Sequence, residues 1–393
     1  MRRDELRALL DKVTPTNAFY AAKAATCHSL DDLYTTKAEL IEDQLRNPPF
    51  GTNLTYPINR YTRFSQTSGT TGTPMRWLDT PESWSWMLDN WTRVFQAAAV
   101  TASDRIFFAF SFGPFLGFWT AFEAATRMGC LAIPGGGMRS AARLREIIDM
   151  SATVLCCTPT YAIHLAEAAK EEDIDLSRTT VRTILVAGEP GGSLPGTRAR
   201  IERLWPGARV VDHYGMTEIG PVSYGCPKRP CVLHVMESAF IAEISDKREL
   251  ILTNLGRLGS PVIRYRTGDV VDPAPPGQCE CGTHDLALLG GILGRTDDMV
   301  VVRGVNVYPA AVEDVIGRVG GVAEFRVRVS TGRALTELVV EVEADSALAG
   351  DPNLPHRLEA ALRDALSLRI PVAVVAPGSL PRFEMKARRW VRS

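Results

Sequence analysis

The feature that most constrains the fold of this chain is an alternation of short apolar runs with segments of helical spacing. Strands are predicted at residues 106–110, 154–157, 183–187 and 209–213, and helices at residues 160–170 and 196–204. Pro159 and Pro195 stand where those helices should begin, as prolines often do. Strands that alternate with helices form a largely parallel sheet covered by helices, so the predicted fold class is α/β.

The length of the chain and a change of pattern predict two units. A chain of 393 residues exceeds the roughly 250–300 residues at which a single core stops growing. From residue 299 the elements become shorter, with helices at 309–319 and 354–366 and strands at 325–329 and 337–342. We expect a large layered sheet-and-helix N-terminal domain over residues 1–296 and a small α+β C-terminal lobe over residues 297–393.

The charge balance excludes some classes of partner. The 44 Lys and Arg residues nearly equal the 45 Asp and Glu residues, which gives no attraction to nucleic acid or to an anionic membrane. No uninterrupted apolar run reaches the length of about 18 residues that a membrane helix needs. The charged first residues do not resemble a secretion signal, so we expect a cytoplasmic protein that binds small molecules.

The segment TSGTTGTP at residues 67–74 is a candidate phosphate-binding loop. Glycines let the backbone approach phosphate closely, and backbone N–H groups with hydroxyls can surround its oxygens. The segment is not a Walker A loop, because no GK[ST] follows it. Taken alone, the composition fits a flexible surface loop equally well.

The segment DHYGMTEIG at residues 212–220 follows a predicted strand and should lie at the carboxyl end of the sheet, where α/β folds bind ligands. Tyr214 is suited to stacking on a nucleobase, Thr217 to bonding a phosphate, and Glu218 to holding Mg²⁺. The alternative is a core tyrosine and a solvated glutamate.

Three later features suggest further contacts and a hinge. In YRTGD at residues 265–269, the Asp269 carboxylate is suited to accepting hydrogen bonds from the two hydroxyls of a ribose, although such a segment is often only a turn. The charged GRTDD at residues 294–298 interrupts the apolar pattern, as a junction between domains would. Lys386 lies on a basic tail, where a lysine is usually a solvated charge.

These five segments, in this order, resemble the adenylate-forming superfamily of acyl-CoA synthetases, nonribosomal adenylation domains and luciferases. The similarity is greatest to its phenylacetate-CoA ligase branch, whose amino-terminal helices and TTK segment resemble MRRDELRALLDK and LYTTKAELIEDQLRNPPFG. The resemblance implies ATP- and Mg²⁺-dependent conversion of a small carboxylic acid to an acyl-adenylate, followed by transfer to the thiol of coenzyme A. Alternatives are a carrier-protein phosphopantetheine, an amine acceptor, or a zinc-stabilised nucleotide-binding protein without turnover.

The resemblance also implies residue roles. It places the triphosphate under Thr67, Ser68, Gly69, Thr70 and Thr71, and the adenine beside Gly188, Glu189, Pro190, His213, Tyr214 and Gly215. Thr217 and Glu218 would serve phosphate and Mg²⁺, and Asp269 and Arg295 the ribose. Asp297 would be the pivot of the small lobe, Lys386 would reach the acyl and phosphate oxygens, and Gly304 would line the path of the thiol. One departure is Thr73, where the family commonly has lysine after the second glycine.

Five residues in two short segments form a candidate zinc site. They are Cys226, Cys231 and His234 in GCPKRPCVLH, and Cys279 and Cys281 in CECG. Thiolates with an imidazole suit tetrahedral Zn²⁺, and the related branch has similar cysteine-bearing insertions. Cys226, His234, Cys279 and Cys281 are the preferred ligands, with Cys231 as the substitute. Ordinary thiols are the alternative.

An aromatic stretch, FFAFSFGPFLGFW at residues 107–119, is the candidate acyl pocket. Aromatic side chains are used mainly to build cores, but the glycine-broken half can form a flat slot for an aromatic acid. The candidate pocket residues are Phe112, Phe115, Phe118, Trp119, Gly135 and Gly136. The protein partners that we allow for are an acyl or aryl carrier protein and a second copy of the chain.

Overall fold

The computed structural model describes residues 2–67, 74–302, 305–331, 336–345, 351–383 and 388–392, and the structural statements below concern those residues. The helices within these ranges are α1 (Arg3–Val13), α2 (Ala18–Thr26), α3 (Lys37–Arg46), α4 (Pro81–Ala97), α5 (Leu116–Arg127), α6 (Ser140–Asp149), α7 (Pro159–Glu171), α8 (Pro195–Leu204), α9 (Pro309–Val319) and α10 (Leu354–Leu366). None of them combines the length and the apolar character that a membrane crossing requires.

The strands fall into groups that follow chain order. A first hairpin and the main sheet comprise β1 (Arg63–Gln66), β2 (Arg76–Asp79), β3 (Arg105–Phe108), β4 (Leu131–Pro134), β5 (Val154–Cys157), β6 (Thr183–Val186) and β7 (Arg209–Asp212). A small pair and a second sheet comprise β8 (Gly215–Met216), β9 (Gly220–Pro221), β10 (Ser223–Gly225), β11 (Val232–Val235), β12 (Phe240–Ile244), β13 (Glu249–Asn254), β14 (Tyr265–Pro273) and β15 (Ala287–Arg295). The remaining strands are β16 (Val300–Val302), β17 (Val305–Val307), β18 (Val322–Thr331), β19 (Thr336–Ala344), β20 (Val372–Val374) and β21 (Trp390–Arg392).

The main sheet is parallel, with the strand order β4-β3-β5-β6-β7. Its inner strands β3, β5 and β6 are buried on both faces, as a parallel sheet between helical layers requires, whereas the edge strand β4 is partly exposed. The predicted α/β fold class is therefore confirmed, and the four predicted strands and two predicted helices are present. All the strands point their carboxyl ends to one edge, and the order reverses between β3 and β5, where such folds form ligand crevices.

A second, antiparallel sheet has the order β10-β11-β15-β14-β13-β12 and shares a core with one face of the main sheet. The sequence did not predict this sheet as a unit. Its long strands β14 and β15 are joined by a loop that contains the Pro/Gly-rich sequence PAPPGQCECG, since β14 ends at Pro273 and β15 begins at Ala287. The segment YRTGD lies inside β14, so it is not a simple turn.

The C-terminal lobe has its own apolar core and a four-stranded sheet with the order β20-β19-β18-β21. Helices α9 and α10 cover this sheet and have the predicted bounds, so the small α+β lobe is confirmed. The two units meet where α9 packs on α8 of the large domain. The boundary between residues 296 and 297 stays a prediction.

Candidate active site

The candidate phosphate loop joins the two strands of a hairpin. Strands β1 and β2 are antiparallel, and Thr67 continues their ladder by donating its N–H to the Met75 carbonyl oxygen at 2.9 Å. The Met75 N–H also donates to Thr67 Oγ1 at 3.0 Å, which holds the two ends of the loop together. Ser68, Gly69, Thr70 and Thr71 lie outside the described residues, so their predicted roles stay predictions.

The segment after β7 turns sharply around a buried histidine. His213 Nδ1 donates to the Ser223 carbonyl oxygen at 2.6 Å, and the ring lies 4.3 Å from Trp91. Burial lowers the pKa of His213 to about 4, so the ring is neutral at physiological pH. A β-carbon on Gly215 would lie 2.8 Å from the Gly220 carbonyl oxygen, which is why this close backbone approach needs glycine.

Tyr214, Asp269 and Arg295 form a connected set between the two sheets. The Tyr214 hydroxyl donates to Asp269 Oδ2 at 2.6 Å, and Arg295 Nη1 lies 3.2 Å from Oδ1 of the same carboxylate. Asp269 and Arg295 are register partners on β14 and β15, so strand pairing positions them. Burial and the charge of Asp269 raise the pKa of Tyr214 well above its usual value, which keeps the phenol protonated.

Thr217 and Glu218 are both held by residues distant in sequence. The Thr217 carbonyl accepts a 2.6 Å hydrogen bond from Arg257, which is fully buried and paired with Asp79. Glu218 is only 3 % exposed, so the alternative of a solvated glutamate is wrong. Its Oε1 lies 3.4 Å from Lys37 Nζ at the start of α3, a contact that sequence reasoning did not predict.

The candidate adenine loop follows β6. Gly188 has φ of +93°, a left-handed conformation that favours glycine. Glu189 Oε1 accepts from the Thr160 N–H at 2.8 Å, which caps the first turn of α7, and Pro190 is exposed. The loop is thereby anchored to the helix that follows the neighbouring strand β5.

The aromatic stretch divides into a core half and a more open half. Phe107 and Phe108 are fully buried, whereas Phe112, Phe115 and Phe118 are half-buried and Trp119 is 39 % exposed. Phe118 stacks on Phe110 with centroids 4.2 Å apart, and Phe115 and Phe112 add edge contacts with Phe118 and Trp119. The first rings of the stretch are therefore core residues, and the pocket role of the more exposed rings stays a prediction.

Two glycines after β4 complete this aromatic region. A β-carbon on Gly135 would lie 2.7 Å from the Phe107 ring, and one on Gly136 would lie 3.2 Å from the Phe112 ring. The backbone therefore passes directly against the rings. This region lies at the carboxyl ends of β3 and β4, beside the reversal of strand order.

The predicted hinge residue is on the surface. The Asp297 side chain is 79 % exposed and lies 3.6 Å from Arg295 Nη2. The preceding residue, Thr296, is tied to β14 by an N–H bond to the Gly268 carbonyl at 2.7 Å. Lys386 and Gly304 lie outside the described residues, so their predicted roles stay predictions.

Four of the five candidate zinc ligands lie together. The donor atoms of Cys226, His234, Cys279 and Cys281 are all within 4.8 Å of one another. Burial lowers the pKa of His234, and its Nδ1 bonds the Asp285 carbonyl, so the neutral Nε2 faces the sulfurs. This group is the preferred set of ligands, and it does not include Cys231.

Comparison with known proteins decides the family. The model for the AMP-binding enzyme matches residues 64–259, and the model for the AMP-binding enzyme C-terminal domain matches residues 304–392. The chain belongs to the adenylate-forming superfamily. The first family model matches the large domain and the second matches the small lobe. The superfamily includes the AMP-forming acid–CoA ligases to which this chain is related.

The adenylate-forming chain is similar to two curated phenylacetate-coenzyme A ligases. Its identity to the Escherichia coli (strain K12) enzyme is 29 %, over 92 % of this chain and 85 % of that one. Its identity to the Thermus thermophilus enzyme is 28 %, over 90 % of this chain and 85 % of that one. The predicted resemblance to the phenylacetate-CoA ligase branch is confirmed.

Solved structures of 2-hydroxyisobutyryl-CoA ligase share the fold of this adenylate-forming chain at 26 % identity. The structure in the postadenylation state with R3-HIB-AMP superposes with a TM-score of 0.92, covering 99 % of this chain and 88 % of that one. The structure in the thioesterification state, with 2-HIB-AMP and CoA, gives a TM-score of 0.69, covering 100 % of this chain and 90 % of that one.

Proposed function

We propose that this chain uses ATP to convert a small aromatic carboxylic acid to an acyl-adenylate and then passes the acyl group to coenzyme A. The observation that carries the proposal is the set formed by Tyr214, Asp269 and Arg295. It lies at the carboxyl edge of the parallel sheet, the edge that also bears the aromatic stretch. A nucleotide and an acid bound there would be neighbours.

The nucleotide roles follow from the chemistry of these groups. The Asp269 carboxylate and the Arg295 guanidinium are suited to the two ribose hydroxyls, because each offers paired hydrogen-bonding atoms. The Tyr214 ring supplies a face for adenine, and Gly188, Glu189 and Pro190 supply the loop beside it. Thr67 and Thr217 would contact the phosphates.

Glu218 is the proposed magnesium ligand. Its carboxylate is buried and pairs with Lys37, so the site already favours a cation. Oxygen donors of this kind suit Mg²⁺, which usually completes its shell with water and substrate phosphates. When bound, Mg²⁺ neutralises charge on the departing pyrophosphate.

The chemistry would proceed in two steps. A carboxylate oxygen of the acid attacks the α-phosphorus of ATP, and the bond to pyrophosphate breaks. Lys386 would place a cation at the acyl and phosphate oxygens where negative charge develops. In the second step the thiol sulfur attacks the acyl carbon, the thiol proton is released, and AMP leaves.

The aromatic nature of the acid rests on the half-buried rings of Phe112, Phe118 and Trp119 beside Gly135 and Gly136. Flat rings next to glycine backbone suit a flat substrate. A short hydroxy acid is the second candidate substrate, because the structure of 2-hydroxyisobutyryl-CoA ligase superposes on this chain with a TM-score of 0.92. A carrier-protein thiol and an amine are the alternative acceptors.

The test is pyrophosphate release from ATP and Mg²⁺ across benzoic, phenylacetic, amino-aryl and short hydroxy acids, with and without coenzyme A. We expect release that depends on one aryl acid and AMP formation that rises with coenzyme A. Strongest release with a hydroxy acid would support the second candidate. No acid-dependent release from any acid would contradict the proposed function.

We also propose that Cys226, His234, Cys279 and Cys281 hold a structural Zn²⁺. Zn–S bonds of about 2.3 Å in a tetrahedron place two sulfurs about 3.8 Å apart. The Cys226 and Cys279 sulfurs are 3.7 Å apart. Burial raises the pKa of Cys226 to about 11, so a bound cation would be needed to hold it as thiolate.

The zinc proposal predicts a ratio of one zinc per chain in metal analysis of the purified protein. Cys279→Ser should lose most of this zinc, whereas Cys231→Ser should keep it, because Cys231 lies outside the group. A metal-free wild-type protein after growth in zinc-supplemented medium would contradict the proposal. That result would not contradict the proposed ligase activity, because the zinc would stabilise a loop and take no part in catalysis.

A further inference from the structure

The contact between the two units is an unusually close crossing of α8 and α9 at two glycines. A β-carbon on Gly196 would lie 2.5 Å from the Asp314 carbonyl oxygen and 2.6 Å from the Arg318 nitrogen. A β-carbon on Gly317 would lie 2.8 Å from the Gly196 carbonyl carbon and 3.1 Å from the Thr197 nitrogen. The obstructing atoms are backbone atoms, so no side chain can move aside.

Neither glycine is required by the conformation of its own helix. Both lie within helices and outside the left-handed conformations recorded for other glycines. Glycine lowers the stability of a helix relative to alanine. The absence of side chains at Gly196 and Gly317 is therefore explained by the contact between the two units and not by either unit alone.

A second observation shows that α8 depends on the small lobe for its cap. The residue before α8, Leu194, offers no side-chain cap. Asp314 of α9 accepts from the Gly196 N–H at 2.9 Å and so satisfies a free donor of the first turn. A carboxylate at a helix N-terminus is also favoured by the helix dipole.

A partly buried arginine strengthens the same contact. Arg200 on α8 donates to the Ala323 carbonyl of the small lobe at 2.9 Å and pairs with Glu167 of α7 at 3.1 Å. Its side chain is 20 % exposed. The crossing, the cap and this bridge involve one face of each unit, so a change in the relative orientation of the units would break all three.

We infer that Gly196, Gly317 and Asp314 are positioning residues that hold the small lobe in the orientation for adenylation. This inference rests on the proposed function and adds the residues that select between its two steps. The chain superposes on the postadenylation structure with a TM-score of 0.92 and on the thioesterification structure with 0.69. We call the contact made by Gly196, Gly317 and Asp314 the latch. It forms in the orientation that matches the postadenylation structure.

The first test replaces the glycine of the small lobe. Gly317→Ala should lower acid-dependent ATP–pyrophosphate exchange at least tenfold. Thioester formation from pre-made acyl-adenylate and coenzyme A should stay within twofold of wild type, because that step does not use the latch. Alanine favours the helix, so unfolding of α9 cannot explain a loss. Equal loss in both steps, or no loss in either, would overturn the inference.

Substitutions at Asp314 test the cap. Asp314→Ala should reduce the exchange reaction, and Asp314→Asn should restore much of it, because the amide oxygen still accepts from the Gly196 N–H. The matched control is Asp364→Ala, an acid of the same lobe whose side chain is 76 % exposed. If Asp314→Asn is as slow as Asp314→Ala, or Asp364→Ala is equally slow, the cap has no positioning role.

A measurement without substrate separates this inference from the proposed function. Spin labels on α7 and α10 report the distance between the two units of the full chain. Wild type should give one narrow distance, and Gly317→Ala should add a broad, longer population. This result would stand even if no acid were activated. Identical distance distributions in wild type and variant would overturn the latch.

Discussion

Asp79→Ala should be among the most destabilising single substitutions in the large domain, and it should also slow adenylation. The Asp79 carboxylate accepts two hydrogen bonds from Arg257, at 2.7 and 2.6 Å, and both side chains are fully buried. Arg257 also donates to the Thr217 carbonyl and lies over the Trp77 ring. Removal of the carboxylate leaves a guanidinium charge without a counter-ion in the interior.

The expected loss is about 3–5 kcal/mol of unfolding free energy, because breaking one side of a buried ion pair leaves an uncompensated charge. Replacing both partners with apolar residues of similar size removes that charge. The double variant Asp79→Leu with Arg257→Met should therefore regain most of the stability. It should not regain adenylation, because the double variant lacks Arg257, which donates the hydrogen bond that positions the Thr217 carbonyl.

Urea unfolding followed by tryptophan fluorescence measures the stability, and acid-dependent ATP–pyrophosphate exchange measures the activity. Asp89→Ala is the control, because Asp89 is 68 % exposed and its pair with Arg127 should contribute less than about 1 kcal/mol. The reasoning is refuted if Asp79→Ala unfolds at the same urea concentration as Asp89→Ala. The expectation that the double variant stays inactive is refuted if it exchanges pyrophosphate at the wild-type rate.

The remaining predictions concern the site and its pH dependence. Lys386→Ala should abolish pyrophosphate exchange and spare thioester formation from pre-made acyl-adenylate; equal loss of both steps would contradict its role. Tyr214→Phe keeps the ring but removes the hydrogen bond to Asp269, so the KM for ATP should rise about tenfold or more, corresponding to roughly 1.5–3 kcal/mol, with little change for the acid. His213 has a folded pKa of about 4 against 6.5 unfolded, so the unfolded chain binds more protons in that window and stability should fall by about 3 kcal/mol as pH drops from 6.5 to 4. His213→Gln should flatten that slope in urea unfolding, and an unchanged slope would show that another group titrates.

The sequence alone predicted the parallel sheet and the small lobe, because both depend on local periodicity. Helices α9 and α10 have the predicted bounds, and each predicted strand of the main sheet is present. The antiparallel sheet was missed as a unit. Its strands differ in length, and the pairing of β11 with β15 passes over three intervening strands, so no repeated local pattern marks the sheet as one unit.

The order of the motifs along the chain identified the family. Each motif is weak evidence alone, but five motifs in the same order are strong evidence. Motif spacing could not decide which of the five candidate zinc ligands lie together. The structure groups Cys226 and His234 with Cys279 and Cys281, because β11 pairs with β15 and brings two distant loops to one end of a sheet. Cys231 is near in sequence but lies outside this group.

The partners of the predicted site residues were decided by tertiary structure alone. Asp79 and Arg257 are 178 positions apart, and Lys37 reaches Glu218 from the first turn of an amino-terminal helix. The glycine crossing between α8 and α9 likewise depends on two helices that no local signal connects. Local sequence sets which elements form, because backbone preference and apolar spacing act over a few residues. Which side chains meet is set by how those elements pack.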